Sequence, residues 1–186
     1  MRTIAAAVLA MIAMAVAVAP ARAADSVPVT GVSTALALDP GAAGALTSLG
    51  VRVSPATAAS VDEQGRVVFP VSGGSLNGSL QGTISHVGGL TLKKGFVTLG
   101  VQRFIIDTRG EPKLTAELRG TGVRFDLAKL GITGVEPGPG GSTVVTADVT
   151  LTAFAANVLN FAFGTKALGP GFKLGVAQAT VTLAAA

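Results

Sequence analysis

Along most of this chain apolar and polar residues alternate in short runs cut by glycine, the period-two signature of β-strands. The cleanest run sets Leu114, Ala116 and Leu118 against Thr115, Glu117 and Arg119, as in a strand with one face in water. Val123, Phe125 and Leu127 repeat the pattern, as do Val145, Ala147, Val149 and Leu151. Val67, Phe69 and Val71 share a face over 66–71, where Pro70 cannot donate to a ladder and so predicts an edge strand or its end. Gly73-Gly74 and Asn77-Gly78 read as turns. Leu80 and Ile84 point inward over 80–85, and continuing the count puts His86 on the same inward face. Gly88-Gly89 marks a bulge or turn, Leu90–Leu92 resumes strand, and Lys93-Lys94-Gly95 is a hairpin tip. In the long run from Phe96 to Ile106, Val97, Leu99 and Val101 share one face while Phe104 and Ile106 share the other. A bulge between Gly100 and Arg103 reconciles the two phases. Val32–Leu38, a largely apolar run that includes Ser33 and Thr34, predicts a buried strand. Val51–Ser54 is a shorter strand, 109–112 a turn, and 172–183 holds a last strand or two.

Two stretches switch to helical spacing. Asp39-Pro40 supplies an N-cap followed by proline at the first helical position, Ala42, Ala45, Leu46 and Leu49 follow at helical intervals, and Gly50 ends the helix. Thr152 caps a second helix over 153–163, with Phe154, Val158, Leu159 and Ala162 as its apolar stripe and Gly164 as its stop. The two strand–helix units resemble each other, either as a pseudo-symmetric pair or as two ordinary capping solutions. Pro137-Gly138-Pro139-Gly140-Gly141 is the strongest loop signal, a hinge or border, although too little chain follows it for a second domain. The pattern as a whole predicts a mainly β fold: an antiparallel β-sandwich or partly closed barrel with two short helices.

Composition changes this picture at the N-terminus. Met1-Arg2-Thr3, the apolar run from Ile4 to Ala19 and Ala21-Arg22-Ala23 form a secretory signal peptide over 1–23, leaving a single exported domain over 24–186 with no integral membrane segment. Without residues 1–23 the chain carries 12 basic and 10 acidic side chains, a net charge of +2. That is too small a bias to argue for nucleic acid or an anionic membrane. The absence of Cys excludes disulfides, a thiol nucleophile and a cysteine lipid anchor. With neither Trp nor Tyr there are no aromatic girdles of a membrane barrel and no strong stacking platform.

Candidate chemistry is sparse. His86 is the chain's one histidine, no G-x-S-x-G elbow is present, and no acid adjoins it in sequence, so a catalytic triad is not supported. One histidine and no cysteine do not make a zinc site, and no phosphate loop, dinucleotide fingerprint or calcium loop occurs. Asp62-Glu63 reads as a solvated turn rather than an acid–base pair, and Asn77-Gly78-Ser79 as turn chemistry rather than a glycosylation site. Lys93, Lys94, Arg103, Arg109, Lys113, Arg119, Arg124 and Lys129 outnumber Asp107, Glu111, Glu117 and Asp126 in their span. This is either a basic side for an acidic polymer or propionate, or the solvated faces of half-exposed strands. His86 is left as the candidate binding residue, inward and able to satisfy a backbone carbonyl, line an apolar pocket or ligate a haem iron.

The run Phe69-Pro70-Val71-Ser72-Gly73-Gly74 followed by residues 82–92, GTISHVGGLTL, resembles the bacterial Htaa domain family. The resemblance covers roughly 30–185 and is specific over 69–92. It implies an exported surface β domain associated with haem uptake, in which a tyrosine is the axial ligand of haem and a histidine supports it. His86 falls where that pattern places a histidine, and the tyrosine has no counterpart here. The expectation is a non-enzymatic secreted or cell-surface binding domain for haem or another apolar ligand. The alternative is a structural or adhesive envelope domain whose partner is a surface protein or a cell-wall polymer.

Overall fold

The structure is a computed structural model and describes residues 26–184; the expected signal peptide over 1–23 lies outside the described residues. Eleven strands form one sheet: β1 (Val27–Leu38), β2 (Arg52–Ala56), β3 (Ser60–Val61), β4 (Val67–Leu76), β5 (Gly82–His86), β6 (Gly89–Lys94), β7 (Val97–Asp107), β8 (Lys113–Leu118), β9 (Arg124–Pro137), β10 (Thr143–Leu151) and β11 (Lys173–Leu183). Helix α1 (Pro40–Ser48) follows β1 and α2 (Ala153–Phe163) follows β10. Eight strands close on themselves in the order β7-β5-β4-β1-β11-β10-β9-β8, all pairs antiparallel, with β8 returning to β7. Of the two architectures expected, the barrel is the one adopted, and its closure is complete. Closure leaves those strands no free edges and turns one face of each toward a common interior.

The helices begin and end where their caps predict. Asp39 Oδ1 accepts from the Gly41 and Ala42 amides, Thr152 Oγ1 accepts from the Ala155 amide at 3.1 Å, and Gly164 closes α2 in the left-handed conformation (φ 60°). α2 is turned about its axis from the expected orientation. It buries Ala155, Ala156, Leu159 and Phe163, while Phe154 and Phe161 face outward. The small residues let the helix approach β9 and β7 closely, and packing set the face where hydrophobicity alone favoured Phe154. Phe154 instead leans on Phe125, with ring centroids 5.7 Å apart.

Several local expectations change. Gly73-Gly74 is no turn: β4 runs through both, and a Cβ on Gly74 (φ 139°) would collide with the Thr83 carbonyl on β5. Glycine there permits close strand approach rather than chain reversal. Pro70 lies inside the barrel wall, not at an edge, opposite Ser33 of β1. Its other side falls where β3 has ended and the β5 ladder is only beginning. Its carbonyl accepts from the Val87 amide there, and the missing N–H orphans no partner. Residues 138–142 form a tight turn of the β9–β10 hairpin, not a hinge, because Thr143 pairs directly with Pro137. The bulge in β7 is present at Arg103 (φ 51°), where the β7–β8 register shifts and the Arg103 amide donates to the Gly88 carbonyl. It bends the wall so that β5 and β6 pair with successive halves of β7.

The interior divides into two apolar layers. One, at the helix-bearing end, gathers Phe69, Val101, Phe104, Leu151, Leu159 and Phe163. The other, toward the chain termini, is built from Val29, Leu76, Ile84, Ile106, Ala147, Val149, Ala179 and Val181. Aromatic bulk fills the first; the second is aliphatic and rich in alanine.

Candidate functional site

His86 ends β5 with its ring inside the barrel, between the two layers, 4 % exposed. Its Nδ1 lies 3.3 Å from the Phe104 carbonyl of β7 and its Nε2 2.7 Å from Thr34 Oγ1 of β1. A carbonyl only accepts, so Nδ1 carries the proton and Nε2 accepts from the threonine hydroxyl. Both ring nitrogens are therefore engaged, and the histidine ties three wall strands together. Burial pushes its pKa down from the ordinary 6.5 to about 4, opposed by the bond to Phe104, so the ring is neutral at pH 7. Phe69 and Phe104 meet edge to face above it at 5.0 Å. The space beside the ring is only about 40 Å³.

The larger space lies further down the axis. At the end opposite the helices the interior opens in a cavity of about 300 Å³, floored by Ile84, Ile106 and Leu130 and walled by Ala147, Ala177 and Ala179. The wall explains the void. Ala147 stands directly opposite Ala177, and Val145 opposite Ala179, so three alanines on two adjacent strands leave that layer short of side-chain volume. Ile132 and Val135, both about half exposed, form an apolar lip on β9. No charged side chain lines the cavity. Thr108, at its rim, is satisfied, since its hydroxyl donates to the Leu80 carbonyl at 2.7 Å and accepts from the Gly82 amide at 3.0 Å. A third space of about 80 Å³, with wholly apolar side chains, sits beneath the helices.

Four of the eight cations in the charged span are paired. Arg103 meets Glu117, Arg109 meets Asp107, Lys113 meets Asp126 and Lys129 meets Glu111, at 2.7–3.3 Å. All four acids of the span are thus taken, and the groove between them is balanced in charge. Arg109 holds the Asp107 carboxyl down at about 2. Asp62 is a turn acceptor for the Gln64 and Arg66 amides and pairs with Arg66 at 2.7 Å. Among the described residues no three His, Asp or Glu side chains gather as a metal site. Nor is any helix there long and apolar enough to cross a membrane.

The donor set does not fit a haem held through its iron. Haem iron takes His, Cys, Met or Tyr as axial ligand. This chain lacks Cys and Tyr, and its three methionines, Met1, Met11 and Met14, all fall within 1–23. His86 is the ligand type left, and its nitrogens are committed to Thr34 and Phe104 behind a 40 Å³ space. Sequence reasoning placed His86 inward but missed Thr34. It also missed the facing alanines, whose signal, small inward residues on neighbouring strands, appears only once the register is known.

No family model matches the chain, and no curated protein matches it in sequence. Solved structures do share its fold. The C-terminal domain of HtaA from Corynebacterium glutamicum superposes with a TM-score of 0.64 at 18% identity, over 84% of this chain and 100% of that one. The haem-binding protein HtaB from the same organism gives 0.57 at 11% identity, over 85% and 96%. A domain-swapped dimer of a histidine-to-alanine variant of the HtaA C-terminal domain gives 0.54 at 16%, over 77% and 94%. The fold of this chain is therefore that of the Htaa-like domains, as residues 69–92 led us to expect.

Proposed function

We propose that this chain is a non-enzymatic, exported binding domain of Htaa-like fold that takes an uncharged apolar ligand into the open end of its barrel. The observation that carries this reading is the 300 Å³ cavity lined by no charged side chain, which lies within the size range of small-molecule sites. Its rim offers Ser79 and Gln81 to a neutral polar end of the ligand. A non-catalytic role is supported by the same lining: it holds no acid, base or nucleophile apart from hydroxyls, and His86 is neutral and lies outside it. Haem enters the reading through the fold shared with HtaB, and the donor set speaks against its coordination through iron.

The test is a titration of the chain lacking residues 1–23 with the apolar fluorophore N-phenyl-1-naphthylamine, followed by displacement with medium-chain alcohols. A saturable rise in emission, reversed by the alcohols, is the expected result. No saturable signal would remove the ligand site and leave the structural or adhesive envelope domain, bound to a protein or cell-wall polymer, as the reading.

A further inference from the structure

A second feature lies at the opposite end of the barrel and plays no part in that cavity. The hairpin tip between β6 and β7 carries Phe96, wholly exposed, and α2 carries Phe161, 92 % exposed. An isolated exposed aliphatic side chain needs no explanation, but two phenyl rings presented in full to water are costly. Lys94 Nζ donates to the Phe163 carbonyl at 2.8 Å, which holds the hairpin tip against the last turn of α2 and brings both rings to the same end.

The charge at that end is one-sided. Residues 40–61, 89–106 and 149–184, which supply α1, β2, the β6–β7 hairpin, α2 and the loop after it, contain no Asp or Glu. Of their six cations, Arg103 and Lys173 pair with Glu117 and Asp148, while Arg52, Lys93, Lys94 and Lys166 make no ion pair among the described residues. Arg52 faces Lys93 across the β2–β6 ladder, so two like charges are held side by side. Asp39 is committed to capping α1, and Glu63 lies on the separate β3–β4 turn. The net charge of +2 hides this segregation, because six of the eight other cations are paired with acids along the barrel wall, Arg119 and Arg124 being the exceptions.

Exposed rings flanked by unpaired cations match the two layers of a lipid surface, with rings at the acyl boundary and ammonium groups at anionic headgroups. We propose that the helix-bearing end of the barrel docks on an anionic lipid surface, with Phe96 and Phe161 inserted and Arg52, Lys93, Lys94 and Lys166 against the headgroups.

The experiment is vesicle flotation of the chain lacking residues 1–23, on phosphatidylcholine alone and on phosphatidylcholine with phosphatidylglycerol. Binding to the mixed vesicles, absent on the neutral ones and weakened by salt, is expected. Lys93→Gln and Lys166→Gln should each weaken it about fivefold. Phe96→Ser with Phe161→Ser should weaken it at least ~tenfold while leaving the thermal midpoint unchanged, since neither ring is packed. The proposal is overturned by absence of binding, by equal binding to both vesicle types, or by variants that bind like the parent. An unaltered fluorophore titration in the double phenylalanine variant keeps this outcome separate from that of the cavity.

Discussion

Lowering the pH from 7 to 4 is expected to cost the domain about 3 kcal/mol of stability through His86 alone. The folded imidazole has its pKa lowered to about 4, while in the unfolded chain it takes its ordinary value of 6.5. As pH falls, the unfolded state therefore binds the proton first. The contribution is complete above pH 6.5, is lost progressively between 6.5 and 4, and changes no further below that. The cause is burial: a charged ring between the two apolar layers would lose its water and gain only the Phe104 carbonyl. Protonation also places a hydrogen on Nε2 and removes the acceptor of the Thr34 hydroxyl. Asp107, held at about 2 by Arg109, acts in a separate window, contributing above its ordinary value near 3.8 and losing that as pH falls toward 2. Urea denaturation at pH 7, 5.5 and 4 measures the first slope. His86→Gln keeps a donor and an acceptor but does not titrate, so its stability should be flat over the same range. A parent with no slope, or a variant with the same slope, would show that the ring is not buried as described.

Filling the open end of the barrel should stabilise the fold while removing its ligand. Ala147, Ala177 and Ala179 line a space whose walls lack van der Waals partners on one side. Ala177→Leu adds the missing atoms from a position that is only half buried and can reach into the void. An increase in stability of about 1 kcal/mol is expected, as for other cavity-filling changes. Affinity for the apolar fluorophore should fall at least ~tenfold, since the same volume cannot hold both. Destabilisation by about 1–3 kcal/mol would be the mark of an overpacked core and would mean the space is not there. Stabilisation with undiminished binding would place the ligand elsewhere.

Much of the fold was legible because it rests on local chemistry. Asp39, Thr152 and Gly164 mark helix ends by the hydrogen bonds and backbone angles they supply, and those need no tertiary context. The bulge at Arg103 was legible as a change of phase, because a period-two pattern cannot switch faces without an extra residue. Closure of β7 on β8 was not legible, since alternation is the same in a sandwich and in a barrel. Gly73-Gly74 misled because the same residue serves turns and close strand approach, and only the partner strand distinguishes them. The site was read least well. His86 could be placed inward, but its partner Thr34 stands 52 residues away, and the facing alanines depend on a β10–β11 register that local pattern does not contain. The charge of the helix-bearing end escaped for a related reason, since net charge averages over a surface that the fold divides.

The central claim is that this barrel binds an apolar molecule without coordinating iron. It is tested most directly by titrating haemin and metal-free protoporphyrin in parallel into the chain lacking residues 1–23 and into its His86→Ala variant, following the Soret band. Haemin is expected to produce no His86-dependent Soret shift and to be held no more tightly than the metal-free ring. A haemin shift that the metal-free ring does not reproduce and that disappears with His86→Ala would contradict it, and would make His86 an iron ligand.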